Sequence, residues 1–505
     1  MIGVFGTRTE TSGAGSSQLF AAVRGADDND RVSNNAVHPL DLSLRELSAG
    51  LRRGEFQPMQ LVDAVFERIA ERNGGEPSFD GAPDAINAWS SLDRDAAAAG
   101  AAAAARRLAA GDTSPLLGIP VGVKALFAVQ GQPLTASSRV LDGQTATSDS
   151  AAWRALAEAG AVYIGHTHTH EFAAGGTTDQ VGNPWNLAHS AGGSSGGSGA
   201  AVAAGMVPLT LGTDTAGSLR IPAALNGVSS FKASYGRIPT DGVLPLSATL
   251  DHSGAIARTI DDCAIATAVL SGAVRHRDPF GVGSRAAIAV PAAADLRGVR
   301  IAVTDRPEAV ELTADVREGY ERARAELEAL GAVLIELPAA PDLDKADFDT
   351  ILLAESRSYH AQFVDRAERY RPSTREFLAP GAGPLPVDAY LGAQQRRLAT
   401  TARWQAWFAE HDVAAILEPS AATTAPERGH GYDAGKAVGG TDPLTAFTAT
   451  WNVTGFPVAA LPATIGSHSG LPVGVSLIGP GDADEQLLAI AIALQARLPV
   501  PTPGR

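Results

Sequence analysis

The sequence predicts an α/β protein, a large mixed β-sheet core covered by helices on both sides, with an N-terminal helical layer. Three stretches carry that expectation. The buried, strand-like run Leu116–Val129 precedes a helix at Ser150–Gly160 and a strand at Ala161–Gly165, the texture of a βαβ unit. Val299–Val303, Thr313–Leu330 and Ala332–Leu337 show the same strand–helix–strand order again. Toward the C-terminus, Val413–Leu417, Val458–Leu461 and Val473–Ile478 read as strands before a helix at Asp484–Arg497.

Taken in order, residues 1–40 are expected to form a mobile N-terminal arm, because they are polar, Gly/Ser-rich and weakly patterned. They lack the basic start and apolar run of a signal peptide. Residues 41–505 are expected to form a single α/β domain, with 41–110 as its helical layer. Leu42, Leu44, Leu47, Leu51 and then Leu61, Val62, Val65, Phe66, Ile69 recur at helical spacing, which predicts two amphipathic helices joined near Pro58. Ala96–Ala110 is alanine-rich, but Arg94, Asp95, Arg106 and Arg107 make it a surface helix and not a membrane span. Gly272–Gly298, rich in Pro, Gly and Ala, is expected to be an external connection. Residues 343–412 read as a variable helical region near the substrate site. No repeat of fixed period is evident.

Composition narrows the class of function. Of 505 residues 45% are apolar and 19% charged, which suits a sizeable core. Forty Lys+Arg against 55 Asp+Glu leave a formal charge of −15. That argues against nucleic acid or an anionic membrane surface as a partner. Cys263 is the only cysteine, so neither an internal disulfide nor a cysteine zinc site can form, and a cytoplasmic location is expected.

Two clusters of small residues carry the chemistry. Gly192-Gly193-Ser194-Ser195-Gly196-Gly197-Ser198-Gly199 and Gly212-Thr213-Asp214-Thr215-Ala216-Gly217-Ser218-Leu219-Arg220 lie in a segment otherwise made of Ala, Val and Leu. So much glycine beside a core segment implies close backbone approach, or amides aimed at one point. Upstream, Lys124 sits in an almost wholly apolar run. A buried lysine is driven to lose its proton and can then serve as a base; the plainer reading is a lysine snorkelling from a strand end. Ser194, Ser195 and Ser218 compete as the nucleophile that such a base would activate. Neither cluster has the spacing of a phosphate-binding loop.

These residues resemble the amidase signature family of serine hydrolases. The resemblance centres on Gly192–Gly205 and on G-T-D-T-A-G-S-L-R-I-P-A after it. It extends to Gly118–Lys124, Thr169–Ala173, Asn183-Pro184-Trp185, Tyr235-Gly236-Arg237, Leu250-Asp251-His252, Gly455-Phe456-Pro457 and Leu471–Val475. It implies Lys124 as catalytic base, Ser194 after a cis peptide bond as bridging serine, and Ser218 as nucleophile. It also implies an oxyanion hole lined by the backbone N–H groups of Thr215, Ala216, Gly217 and Ser218. The implied activity is hydrolysis of a small-molecule amide, carbamate or ester through an acyl-enzyme, without metal or cofactor. A homodimer is the expected assembly. Ala125, Ser137, Ala233-Ser234, Ala255 and His166 depart from the family's common residues.

Two rival readings stand beside this one. His166, His168 and His170 alternate, so on a strand they would share a face, as ligands in a metal-dependent amidohydrolase would. A glutamine-amidase subunit of a tRNA amidotransferase has the same fold and would require partner subunits. The aromatic residues between 343 and 451, Tyr359, Phe363, Tyr370, Phe377, Tyr390, Trp404, Trp407, Phe408, Phe447 and Trp451, are expected mainly to pack helices, with two or three facing the acyl-enzyme site.

Overall fold

The computed structural model describes residues 38–272, 286–379, 382–429 and 442–503. Most of the N-terminal arm expected at 1–40, and residues 273–285 of the expected external connection, lie outside them. The strands are β1 (Trp89–Leu92), β2 (Pro120–Lys124), β3 (Val162–Thr167), the pair β4 (Gly182–Asn183) and β5 (Asn186–Ser190), β6 (Leu209–Asp214), β7 (Ser229–Lys232), β8 (His252–Ala257), β9 (Arg300–Thr304), β10 (Val333–Leu337), β11 (Ala415–Pro419), β12 (Val458–Ile465) and β13 (Pro472–Ile478). Among the described residues, eleven of these form one sheet in the order β1-β3-β2-β6-β8-β7-β12-β13-β11-β9-β10, and β4 and β5 pair separately.

The sheet is mixed. β2 runs parallel to β3 and β6, and β9 runs parallel to β10 and β11. The central strands from β6 through β8, β7, β12, β13 and β11 pair antiparallel. Alternate residues of one strand feed different cores. Ala255 and Ala257 of β8 join the cluster that holds Cys263 and Ala264, while Ile256 joins the cluster that holds Ala200 and Ala201. Helix Ile260–Ser271 therefore covers one face and helix Gly196–Ala203 the other, and the strands must be apolar on both sides.

The N-terminal layer forms as its spacing predicts. Helix Leu44–Arg53 begins at a capping box of Ser43 and Glu46, and helix Pro58–Arg72 has proline at its first position. Helix Arg94–Ala109 buries Ala97, Ala101 and Ala104 along one stripe, and no helix among the described residues is long and apolar enough to cross a membrane. β3 runs two residues past the expected end at Gly165. His166 and Thr167 pair with Val123 and Lys124 of β2; their polarity suggests a strand end, but internal hydrogen bonds satisfy them.

Candidate active site

The site assembles at the carboxyl ends of neighbouring parallel strands, where α/β sheets commonly place their ligands. Lys124 ends β2, and Thr213 and Asp214 end β6 beside it. The turn Gly192–Ser195 enters helix Gly196–Ala203, which packs over β2, β3 and β6. That packing explains two glycines. A Cβ on Gly193 would lie 2.4 Å from the Thr177 carbonyl oxygen, and one on Gly197 would lie 2.4 Å from that of Ala88. The peptide bond between Gly193 and Ser194 is cis.

Lys124 is fully buried. Its Nζ lies 2.7 Å from Ser194 Oγ, 2.9 Å from Ser195 Oγ and 2.7 Å from Thr213 Oγ1. All three partners are hydroxyls. Burial pushes the ammonium's pKa well below its ordinary value, and the charges of Asp214 and Asp251 only partly oppose this. A neutral amine has two N–H donors and one lone pair, so within three hydroxyls it can accept a proton from one of them.

Ser218 stands on the turn between β6 and helix Arg220–Asn226. It is 6% exposed, whereas Ser194 and Ser195 are at 0%. Ser194 and Ser218 are not hydrogen-bonded to each other among the described residues; the turns instead meet where Ser195 N–H donates to the Ser218 carbonyl at 3.3 Å. Of the four amides named from the sequence, Gly217 N–H donates to Asp214 Oδ1 at 2.8 Å. Those of Thr215, Ala216 and Ser218 have no acceptor among the described residues. Gly217 thus helps to shape the turn, and three amides are left to receive a ligand oxygen.

Asp214 organises that turn. It also accepts Leu219 N–H at 3.1 Å and forms a buried two-point ion pair with Arg220 at 2.9 and 2.8 Å. Burial pushes its carboxyl up, but Arg220, by charge and hydrogen bond, leaves it below the ordinary carboxylate range. Asn452, from helix Ala449–Val453, donates to Asp214 Oδ1 at 2.8 Å and accepts from Arg220 at 2.6 Å. Sequence reasoning singles out neither Thr213 nor Asn452. A single asparagine in the otherwise uncharged stretch of apolar residues and threonines before Gly455-Phe456-Pro457 is the signal that could have found the second.

The three alternating histidines are held apart. His166 bonds Tyr163 Oη at 2.8 Å and the Phe127 carbonyl at 3.0 Å, and His168 bonds Ser137 Oγ and the Ser78 carbonyl, each at 3.0 Å. His170 Nδ1 bonds the Thr177 carbonyl at 2.7 Å. Burial lowers the first two to about 4. The reason they do not share a face is that β3 ends at Thr167. Among the described residues, candidate ligand atoms of Asp315, Glu318 and His468 lie within 4.8 Å of one another, on helix Ala314–Ala329 and the turn after β12.

Known proteins resemble this chain over most of its length. The chain is 37% identical over 496 residues to the glutamyl-tRNA(Gln) amidotransferase subunit of Roseiflexus sp. (strain RS-1), covering 90% of this chain and 96% of that one. A solved amidase structure superposes with a TM-score of 0.76 at 30% identity, covering 91% of this chain and 100% of the other. The structure of 6-aminohexanoate cyclic dimer hydrolase complexed with substrate gives 0.78 at 26% identity, covering 92% and 99%. The class so defined is that of enzymes hydrolysing amide C–N bonds. More narrowly, the family model described as Amidase matches residues 79–488, and the chain belongs to that family.

Proposed function

We propose that the protein hydrolyses a small-molecule carboxylic amide through an acyl-enzyme on Ser218, with Lys124 as base and Ser194 as proton relay. Neutral Lys124 draws the Ser194 proton as Ser194 takes that of Ser218, whose Oγ attacks the carbonyl carbon. The amides of Thr215, Ala216 and Ser218 hold the oxyanion. The C–N bond then breaks and the proton returns through Ser194 to the leaving amine. Water repeats the sequence on the ester, releasing the acid and free Ser218.

The observation that carries this reading is Lys124, wholly buried and bound to hydroxyls alone, one of them on Ser194. Support comes also from Ser218, which alone of the three serines retains exposure and stands among unengaged amides. The relay further requires Ser194 and Ser218 to meet, a link that substrate binding has to close. Ser218→Ala should abolish both hydrolysis and labelling by a fluorophosphonate. Substantial turnover in that variant, with none in Ser195→Ala, would transfer the role to Ser195.

A second reading has one observation in its favour, the 37% identity to an amidotransferase component. On that reading glutamine is the amide and a partner protein is required. Ammonia release from glutamine by the isolated chain, compared with amine release from aryl and alkyl amides, separates the two.

A further inference from the structure

We infer that Asp251 and Glu355 are positioning residues for the turn that carries Ser218, acting in series through Ser247 and the Thr215 hydroxyl. The inference rests on the acyl-enzyme reading, because it gives a purpose to the geometry of that turn.

Asp251 precedes β8 and is buried, with no ion-pair partner among the described residues. Its carboxylate accepts Thr215 Oγ1 at 2.5 Å, Leu246 N–H at 3.0 Å and Ser247 N–H at 3.2 Å. Glu355, on helix Lys345–His360, accepts Ser247 Oγ at 2.6 Å, Thr249 N–H at 3.0 Å and Thr249 Oγ1 at 2.7 Å. Tyr390 Oη at 2.7 Å and Gln394 Nε2 at 3.3 Å complete its shell from helix Val387–His411. One carboxylate therefore holds the turn, and the other holds the loop that supplies the first with amides.

The opposite end of the turn is held by Asp214, through Gly217 and Leu219. The unengaged amide of Ala216 lies between the two clamps, and that of Ser218 between the two residues that Asp214 holds. A carboxylate taken out of water without an ion-pair partner, as Asp251 is, is unfavourable unless its oxygens are saturated with donors; Glu355 is only partly buried and has the charge of Arg397 nearby. What the pair adds is fixed geometry. Displacing reacting groups by about 1 Å can lower a rate roughly 100-fold.

Thr215→Val removes the hydroxyl and keeps the backbone amide. It should lower kcat about tenfold, less than the roughly 100- to 1000-fold loss on removing an oxyanion donor itself, while KM and the melting temperature stay near wild type. Thr215→Ser, which restores the hydroxyl, should recover most of that loss. Glu355→Gln should lower kcat in the same direction, and the double variant should fall little below Thr215→Val alone, as for residues acting through one contact. Wild-type kcat in Thr215→Val, or losses that multiply in the double variant, would overturn the inference while leaving a dead Ser218→Ala, and with it the acyl-enzyme reading, intact. Turnover persisting in Ser218→Ala would instead remove the premise.

Discussion

At Lys124 the physics is decided by what is not there. A buried ammonium is usually retained beside a carboxylate, but here hydroxyls are the hydrogen-bond partners, so the neutral amine is the favoured form. Activity should therefore rise with pH as the lysine loses its proton, and Lys124→Met should lower the rate by several orders of magnitude. The same shift acts on stability. Between the lowered folded value and the ordinary 10.5, the unfolded chain carries the extra proton, so this group makes stability increase with pH. Its share of the slope is about 1.4 kcal/mol per pH unit, and denaturant titrations across that window should show the slope reduced by this amount in Lys124→Met. An unchanged slope would mean that the lysine stays charged. Asp214 obeys the opposite rule, its charge matched by Arg220. Asp214→Asn leaves a buried guanidinium short of its counter-ion and should destabilise the protein by about 3–5 kcal/mol, read from the denaturation midpoint.

Among the elements, the turn into helix Gly196–Ala203 admits the least change. A side chain at Gly193 or Gly197 would strike backbone, not a flexible side-chain end. Gly193→Ala and Gly197→Ala should each destabilise by more than the usual 1–3 kcal/mol of overpacking, since Thr177, Ala88 and His168 cannot yield separately from their strands and loops. A variant with wild-type melting behaviour would refute this. The stretch after β3 makes a different point. The rings of His166, His168 and His170 serve separate carbonyls and hydroxyls, an arrangement suited to fixing loops. Hydrolysis is accordingly expected to survive a strong chelator; inactivation reversed by zinc alone would give those rings another role.

Over the whole molecule, the helices between 345 and 411 join the site to the outer part of the fold. Most of their aromatic residues, with Trp451 of helix Ala449–Val453, fall into two groups. Trp404, Trp407, Phe408 and Trp451 pack with Phe456 against β9, β11 and β12, and so serve the core. Phe363 and Tyr370 pack on Phe172 with centroids 5.9 and 5.6 Å away, and Tyr359 packs on Phe363. Phe172 lies two residues after His170, whose N–H donates to the Ser194 carbonyl at 2.9 Å. This second group is linked to the serine turn through Phe172 and His170. An aryl or alkyl amide should therefore be hydrolysed with higher kcat/KM than glutamine, each buried methylene contributing roughly 0.8 kcal/mol. Higher efficiency on glutamine would favour the amidotransferase-type reading.

Much of this is legible in the residues because local pattern and local chemistry coincide there. Period-2 and period-3.6 spacing marks the strands and helices, with ends displaced by a few residues where polar groups such as His166 and Thr167 continue a strand. Gly-rich clusters with an isolated lysine mark the site, since backbone freedom beside an apolar segment has few uses. Tertiary structure alone decided the rest. Three serines are equal candidates by spacing, and only the fold put Ser194 and Ser195 on Lys124 while leaving Ser218 the least buried of the three. By sequence Gly217 groups with its neighbours as an amide donor, and only the fold turned its N–H to Asp214. Asn452 lies 238 residues from Asp214, and Glu355 lies 108 from Ser247. Hydrogen bonds between groups so far apart leave no period or motif in a single chain, because their geometry exists only once the sheet has brought its strands together.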